Sequence, residues 1–203
     1  PFFFALLSGN TSFGEGISPI FSPNRSASLF IFLVSFKKIQ NQYQILRKSL
    51  VHNDANDNNI IVTNATINPF VNSLIDYGDA INTQIINDVA ICCAYAIIEV
   101  NDPLEAVIPV IKGYHSKFPL YEKELEFLYI LIAMRLIVSV TKAAINKVKS
   151  PLNEYLLISE RSAWKLIRKW SKISEEFAFY RFREACGLEP HPQFHLFYDW
   201  SKS

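Results

Sequence analysis

Residues 51–63 read VHNDANDNNIIVT, and seventeen residues past Asn59 the chain reaches DYGD at 76–79. Six of the thirteen residues in the first stretch are Asn or Asp, with His52 at their head and Ile60, Ile61 and Val62 close behind. A surface turn alone can account for such a cluster, because Asn and Asp bond to their own backbone and tolerate left-handed geometry. A calcium loop of the EF-hand kind would use Asp54, Asn56 and Asn58. It would also need Gly where Asn59 stands and Glu where Ala65 stands, so it is excluded. Neither reading accounts for the second acidic cluster. It ends the later of two β-rich runs, NIIVT (59–63) and VNSLIDY (71–77), which the Asn and Pro of NATINPF join as a hairpin.

His52, Asp54 and Asn59 fit H-x-D-x-x-x-x-N, the catalytic-loop spacing of protein-kinase-like phosphotransferases, and Asp76-Tyr77-Gly78 is an aromatic-conservative form of Asp-Phe-Gly. The spacing has a mechanical reason. Phosphoryl transfer needs a carboxylate to orient an acceptor hydroxyl and take its proton, and oxygen ligands to hold magnesium against the phosphates. A loop feeding one hairpin strand carries Asp54 and Asn59, and the end of the partner strand carries Asp76. The hairpin would bring both to one centre. His-x-Asp alone is weak, and Asp-x-Gly alone is weaker. The ordered pair, separated by two strands and followed by a helical tail, is specific.

Composition sets the frame around this motif. The chain has 203 residues, half of them apolar and 19% charged, which suits one domain with a real core. Twenty basic residues against nineteen acidic ones give a net charge of +1 and no reason to expect a nucleic-acid partner. Three cysteines, two of them adjacent in the apolar NDVAICCAYAIIEV, make no disulfide framework and no zinc spacing, which predicts buried free thiols in a reduced, cytoplasmic protein. The apolar run FLYILIAMRLIVSV (127–140) is interrupted by Arg135 and predicts a buried helix rather than a membrane span. PFFFALL at the start lacks a basic leader and a cleavage site, and Pro1 in place of Met suggests a fragment. SGNTSFGEG (8–16) fails as a phosphate loop, since Glu15 rather than Lys follows Gly14.

The chain divides into a poorly defined segment at 1–34, a main unit at 35–192 and a tail at 193–203. A helix is expected over 35–50, then the motif and the hairpin, then helices at 87–100, 101–118, 121–149, 153–172 and 175–188. Asp102 before Pro103 is an N-cap and N1 pair, and Gly187 is a helix stop. Lys165, Arg168, Lys169 and Lys172 beside Trp164 and Trp170 read as a solvated basic face. Arg181 and Arg183 read as surface salt-bridge residues in preference to contacts for an anionic substrate group, and His115, His191 and His195 have no ligand-like neighbours in sequence.

Taken together, VHNDANDNNIIV, LIDYGDA and NDVAICCAYAI resemble the aminoglycoside phosphotransferase and choline kinase superfamily. Within it they are most similar to the hydroxylysine kinase group, as is the closing YRFREACGLEPHP (180–192). The resemblance covers about residues 35–192. It implies an α+β, protein-kinase-like fold, represented by the helical C-lobe with an embedded β-hairpin. It also implies an enzyme that transfers the γ-phosphate of ATP or GTP, with Mg2+, to the hydroxyl of a small amino-bearing metabolite. Hydroxylysine is the expected acceptor; choline, ethanolamine or an aminoglycoside is the alternative. In bacteria this type also occurs fused to a class III aminotransferase, so such a domain is an expected partner in a longer chain.

Carried over by position, the resemblance makes Asp54 the catalytic base and Asn59 and Asp76 the magnesium ligands. His52 would pack the catalytic loop against the Asp-Tyr-Gly turn. Asp79 would either assist at the metal or fix the turn. Asp88 would either cap its helix or bond to the catalytic loop. The family's N-terminal lobe, with its nucleotide-covering loop and strand lysine, has no match in residues 1–50, where Lys37 and Lys38 fall in the wrong place. The expectation is a C-lobe without its N-lobe. A catalytically silent binding module that keeps the motif is the rival reading.

Overall fold

The structure is a computed structural model that describes residues 23–64, 66–149, 155–191 and 193–202; the glycine-containing stretch at 8–16 lies outside them. Seven helices and four short strands occupy the described residues. Helix α1 (Pro23–Gln44) leads into strand β1 (Lys48–Val51), followed by β2 (Ile60–Val62), β3 (Val71–Leu74) and β4 (Ile81–Gln84). Helices α2 (Ile86–Ala96), α3 (Pro103–Lys117), α4 (Glu122–Lys149), α5 (Tyr155–Trp170), α6 (Glu175–Ala185) and α7 (Phe194–Lys202) complete the chain.

Helix α4 is the axis of the core, packed by α1, α2, α5 and α6. Leu125, Leu128, Ile132, Ile137 and Val140 on it are fully buried. Each such side chain contributes about 1.5–3 kcal/mol when removed from water. The sequence run 127–140 looked too short for a membrane span. The helix that contains it is long and apolar enough over Glu122–Asn146 to cross one by length and composition, yet 72% of its most apolar window is buried inside the protein. The packed helix bundle accounts for its apolar character.

The helix expected at 35–50 differs from the observed one at both ends. Helix α1 starts at Pro23 and runs unbroken through the expected boundary at 34. Leu29, Phe32 and Phe36, on one face of it, are buried in the core. At the other end the helix stops at Gln44, and Lys48–Val51 is extended and pairs antiparallel with Ile81–Gln84. This pairing, across some thirty residues of chain, overrides the local helical spacing.

The expected hairpin is present, with Ile60 opposite Leu74 and an irregularity between Ile61 and Val62. The two ribbons are nested. The chain leaves the β1–β4 ribbon after Val51, enters the β2–β3 ribbon at Ile60, exits at Leu74 and returns at Ile81. Residues 52–59 and 75–80 are therefore two crossings between the same pair of ribbons. The topology alone lays VHNDANDNN beside DYGD.

Helix ends follow their residue chemistry. Asp102 caps α3 by accepting from the Glu105 N–H at 3.1 Å, with Pro103 in the first turn. Helix α6 closes on Gly187 at φ 72°, where Leu188 N–H bonds the Arg183 carbonyl and Gly187 N–H that of Glu184, both at 3.0 Å. That double bond pattern uses the left-handed geometry a glycine adopts without strain. Lys165, Arg168 and Lys172 are exposed beside buried Trp164 and Trp170, as expected of a solvated basic face, whereas Lys169 is half-buried and donates to the Val100 carbonyl at 2.8 Å. Arg183 is a correction: it is buried, donating from Nε to the Glu189 carbonyl at 2.7 Å and pairing with Glu122. The surface pair is instead Arg181 with Glu105.

Candidate active site

The crossing at 52–59 is held from behind by Asp88. Its carboxylate accepts from the backbone N–H of His52 at 3.2 Å and of Asn53 at 2.8 Å. Asp88 lies in the first turn of α2 and does not cap it; the cap position is Ile85, without a side-chain bond. Of the two readings of Asp88, the structure has the bond to the loop. Asn53 takes a left-handed φ of 64°, which Asn tolerates better than most residues. Asp88→Ala strands two N–H donors. It is expected to lower stability by about 1–3 kcal/mol in chemical denaturation, and Asp88→Asn by less, because its amide oxygen still accepts one bond. An unchanged midpoint for Asp88→Ala would show that the loop does not depend on it.

His52 joins the two crossings. Its Nε2 lies 2.9 Å from the Ile75 carbonyl, and its ring meets that of Tyr77 edge-on at 4.8 Å between centroids. The Asp54 N–H points at His52 Nδ1 from 3.4 Å, so the ring carries its proton on Nε2 and donates to Ile75. Asn59 makes the second link. Its backbone carbonyl accepts from the Ile75 N–H at 2.9 Å, continuing the ladder one step to the residue before Asp76.

Asp54 sits at the centre of this loop. Asn56 Nδ2 donates to its Oδ2 at 3.1 Å, and Asn59 Nδ2 reaches the same oxygen at 3.3 Å and the Asp54 carbonyl at 2.9 Å. Arg135 Nη2, arriving from the middle of α4, donates to Oδ1 at 2.5 Å and to the Tyr95 hydroxyl at 2.8 Å. The sequence required a partner for a guanidinium in an apolar helix. That the partner is Asp54 had no local signal, and neither did Tyr95.

Asp76 is exposed, at φ 61°, and its carboxylate accepts from the Gly78 N–H at 3.3 Å at the start of a short 3-10 turn over Tyr77–Asp79. A side chain at Gly78 would place its Cβ 3.2 Å from Asp76 Oδ1, so glycine there keeps the turn open. Asp54 and Asn59 thus meet directly. Asp76 follows the ladder partner of Asn59, and its carboxylate shares no hydrogen bond with either. A cleft of about 480 Å³ opens next to them between the end of α1, β4, α2 and α4. Asn53, Asp79 and Arg135 line it, whereas Asp54, Asn59 and Asp76 do not.

The donor set suits a hard cation. Asn59 spends its amide nitrogen on Asp54, leaving its side-chain oxygen without a hydrogen bond, and Asp76 adds an exposed carboxylate. Magnesium is commonly held by one or two protein oxygens with phosphates and water completing its shell. Among the described residues there is no cluster of three or more His, Cys, Asp or Glu that could hold a metal by itself. His115 and His191 instead accept backbone N–H bonds from Leu120 and Gln193. The cysteines are free, and burial, with the nearby Asp88 charge, pushes the Cys92 thiol up to about 11. None of them is a nucleophile at neutral pH.

Comparison with known proteins agrees with this geometry. Residues 38–127 match the phosphotransferase enzyme family. Hydroxylysine kinase of Xenopus laevis is 33% identical over 138 residues, 64% of this chain and 37% of that protein. Hydroxylysine kinase of Danio rerio is 32% identical over 135 residues, 65% of this chain and 38% of that protein. Hydroxylysine kinase of Mus musculus is 26% identical over 155 residues, 73% of this chain and 41% of that protein. The chain therefore spans about two fifths of the length of the curated relatives it matches. No solved structure matches it significantly. With the His-x-Asp loop, the Asp-Tyr-Gly turn and the Asp88 anchor, these matches make the chain similar to the phosphotransferase enzyme family over residues 38–127 and, over somewhat under two thirds of its length, to the hydroxylysine kinases.

Proposed function

We propose that this protein is a small-molecule kinase that transfers the γ-phosphate of ATP or GTP to the hydroxyl of an amino-bearing metabolite, with hydroxylysine as the acceptor. The observation that carries the reading is the contact of Asn59 with Asp54 on a loop laddered to the residue before Asp76. We assign the reaction to the unit at 35–192, in the cytoplasm, where three free cysteines stay reduced. No described residue is assigned to the nucleotide base.

In this reading Asp54 is the base. A carboxylate has about four acceptor positions. Arg135, Asn56 and Asn59 occupy three of them, which fixes its plane and leaves one for the acceptor hydroxyl. The hydroxyl proton passes to Asp54 as its oxygen bonds to the γ-phosphorus, and the nucleoside diphosphate leaves with the electron pair of the broken bond. Asn59 and Asp76 would hold magnesium, which supplies charge neutralisation at the phosphates when bound. Asp79, at the end of the turn, either assists there or keeps the turn in shape. Asp88 and His52 hold the loop in register with the turn.

The test is a phosphorylation screen with the full-length protein, offering hydroxylysine, choline, ethanolamine and an aminoglycoside with ATP and with GTP. Product with hydroxylysine at a kcat/KM well above the others is expected. Turnover of choline or an aminoglycoside in preference would replace the acceptor, and no turnover of any alcohol would leave a binding module.

A further inference from the structure

We infer that Tyr95 of α2 is a positioning residue for the base: it holds the Arg135 guanidinium to one acceptor position of Asp54 and so keeps the other open for the acceptor hydroxyl. The inference rests on the kinase reading above. Arg135 reaches Asp54 with a single nitrogen. Its Nη2 donates to Asp54 Oδ1 at 2.5 Å and to the Tyr95 hydroxyl at 2.8 Å, so both N–H bonds of that nitrogen are spent. The guanidinium carbon also lies over the Tyr95 ring, 5.3 Å from its centroid. Tyr95 therefore grips the cation twice, through its ring and through its hydroxyl.

The hydroxyl grip matters because of which acceptor position is left on the base. Oδ2 of Asp54 already accepts from Asn56 and Asn59, so the remaining position is on Oδ1, the oxygen that Arg135 touches. Arg135 carries a donor that would fill it. Its Nε–H is buried and, among the described residues, has no hydrogen-bond partner. A buried donor without a partner is costly, and the N–H groups of a guanidinium form a rigid fork that closes readily on a carboxylate. Held by Asp54 alone, the group would turn until a second N–H joined Nη2 on the carboxylate. That fork would cover the place of the acceptor hydroxyl. The bond to Tyr95 opposes the turn, because Nη2 cannot swing without losing it.

The position of Tyr95 on its helix gives the contact a second meaning. Asp88, in the first turn of α2, holds the loop backbone at the His52 and Asn53 N–H groups. Tyr95 follows seven residues later in the last turn, close to two full turns on and therefore on the same face. Helix α2 also packs along α4, the helix that carries Arg135. One rigid element thus sets the backbone of the catalytic loop directly and the carboxylate of the base through Arg135. Tyr95 itself shares no hydrogen bond with Asp54 and does not line the cleft. Its influence on the reaction passes through the guanidinium.

The experiment is a double-mutant cycle in steady-state kinetics on the full-length protein, with hydroxylysine or whichever alcohol the screen favours. Tyr95→Phe keeps the ring beside the guanidinium and removes only the hydroxyl. It should lower kcat/KM for the acceptor by about tenfold, the usual size of a bond to a charged group, with the nucleotide KM within about twofold of wild type. Arg135→Gln is slower on any reading, because the residue touches Asp54. The readout is what Tyr95→Phe adds to it: less than about twofold is expected, since the hydroxyl acts through a group already gone. If Arg135→Gln fails to fold, Arg135→Lys, which keeps a cation beside Asp54, supplies the second background. A Tyr95→Phe enzyme with wild-type kcat/KM overturns the inference and leaves the kinase reading standing. So does the same tenfold loss in both backgrounds, which is the signature of a purely structural role, or a loss shared by the nucleotide KM. Absence of turnover with every alcohol in the wild type overturns both.

Discussion

Asp54→Ala in the full-length protein is expected to lower turnover by about 10²–10⁴-fold, the range that general-base catalysis contributes. Nucleotide affinity should stay within about twofold of wild type, since the base role proposed for Asp54 concerns the acceptor hydroxyl and adds little to ground-state nucleotide binding. Asp76→Ala should weaken magnesium-nucleotide binding as well as rate, because its carboxylate is proposed to hold the metal. The structure adds a control. Removing the Asp54 carboxylate leaves the half-buried Arg135 without its anion, so Asp54→Ala also carries a stability cost. Asp54→Asn keeps an oxygen for Arg135 while losing the basicity. It should therefore be folded and inactive. Nucleotide titration and single-turnover rates on the three variants separate the roles, and equal nucleotide-binding losses in Asp54→Ala and Asp76→Ala would refute the division of labour.

The hairpin was legible because its signals are local: β-branched runs, and between them an Asn- and Pro-containing turn. Helix α3 was legible from Asp102 and Pro103, and the end of α6 from Gly187, for the same reason. Strand β1 was not. It has four residues, three exposed and one buried, with no alternation to read, and its partner lies some thirty residues away. The start of α1 was missed although its pattern was present. Leu29, Phe32 and Phe36 recur at three and four residues behind Pro23, a residue that suits a first helical turn, but the Phe/Ser/Pro-rich composition obscured the period.

The site divides in the same way. Loop and turn could be recognised from spacing, since the functional groups lie within a few residues of one another on each crossing. Arg135 could be read only as needing a partner, because the desolvation penalty of a guanidinium depends on its own surroundings. Which carboxylate answers it depends on how α4 packs against the loop, 81 residues earlier in the chain. Arg183 shows the reverse error. Its charge suggested the surface, while the bonds to Glu122 and the Glu189 carbonyl that let it be buried come from other elements. Sequence reports the demand for a partner more readily than the partner.

The dependence of Arg135 on packing leads to the largest expected effect on stability, at Trp170. This residue is fully buried at the end of α5, stacked on Tyr129 of α4 with ring centroids 5.3 Å apart. Its Nε1–H donates to the Tyr129 carbonyl at 3.1 Å, while the Tyr129 hydroxyl donates to the carbonyls of Trp170 at 3.0 Å and Ile173 at 2.9 Å. Trp170→Ala should cost about 3–5 kcal/mol, the usual loss for a buried indole. It should appear as a lower denaturation midpoint with an unchanged slope. Trp170→Phe keeps most of the volume and loses the N–H bond. Because the Tyr129 carbonyl sits within a helix, that loss should come nearer the typical net value of about 0.5–1.5 kcal/mol. Tyr129 precedes Arg135 by less than two turns of the same helix, so the stack also sets how far α4 can slide against the loop. A Trp170→Phe variant that is nearly as stable as wild type but slower in turnover would locate the loss in the Arg135–Asp54 contact. A variant slowed only in proportion to its unfolded fraction would show that the stack supports the fold alone.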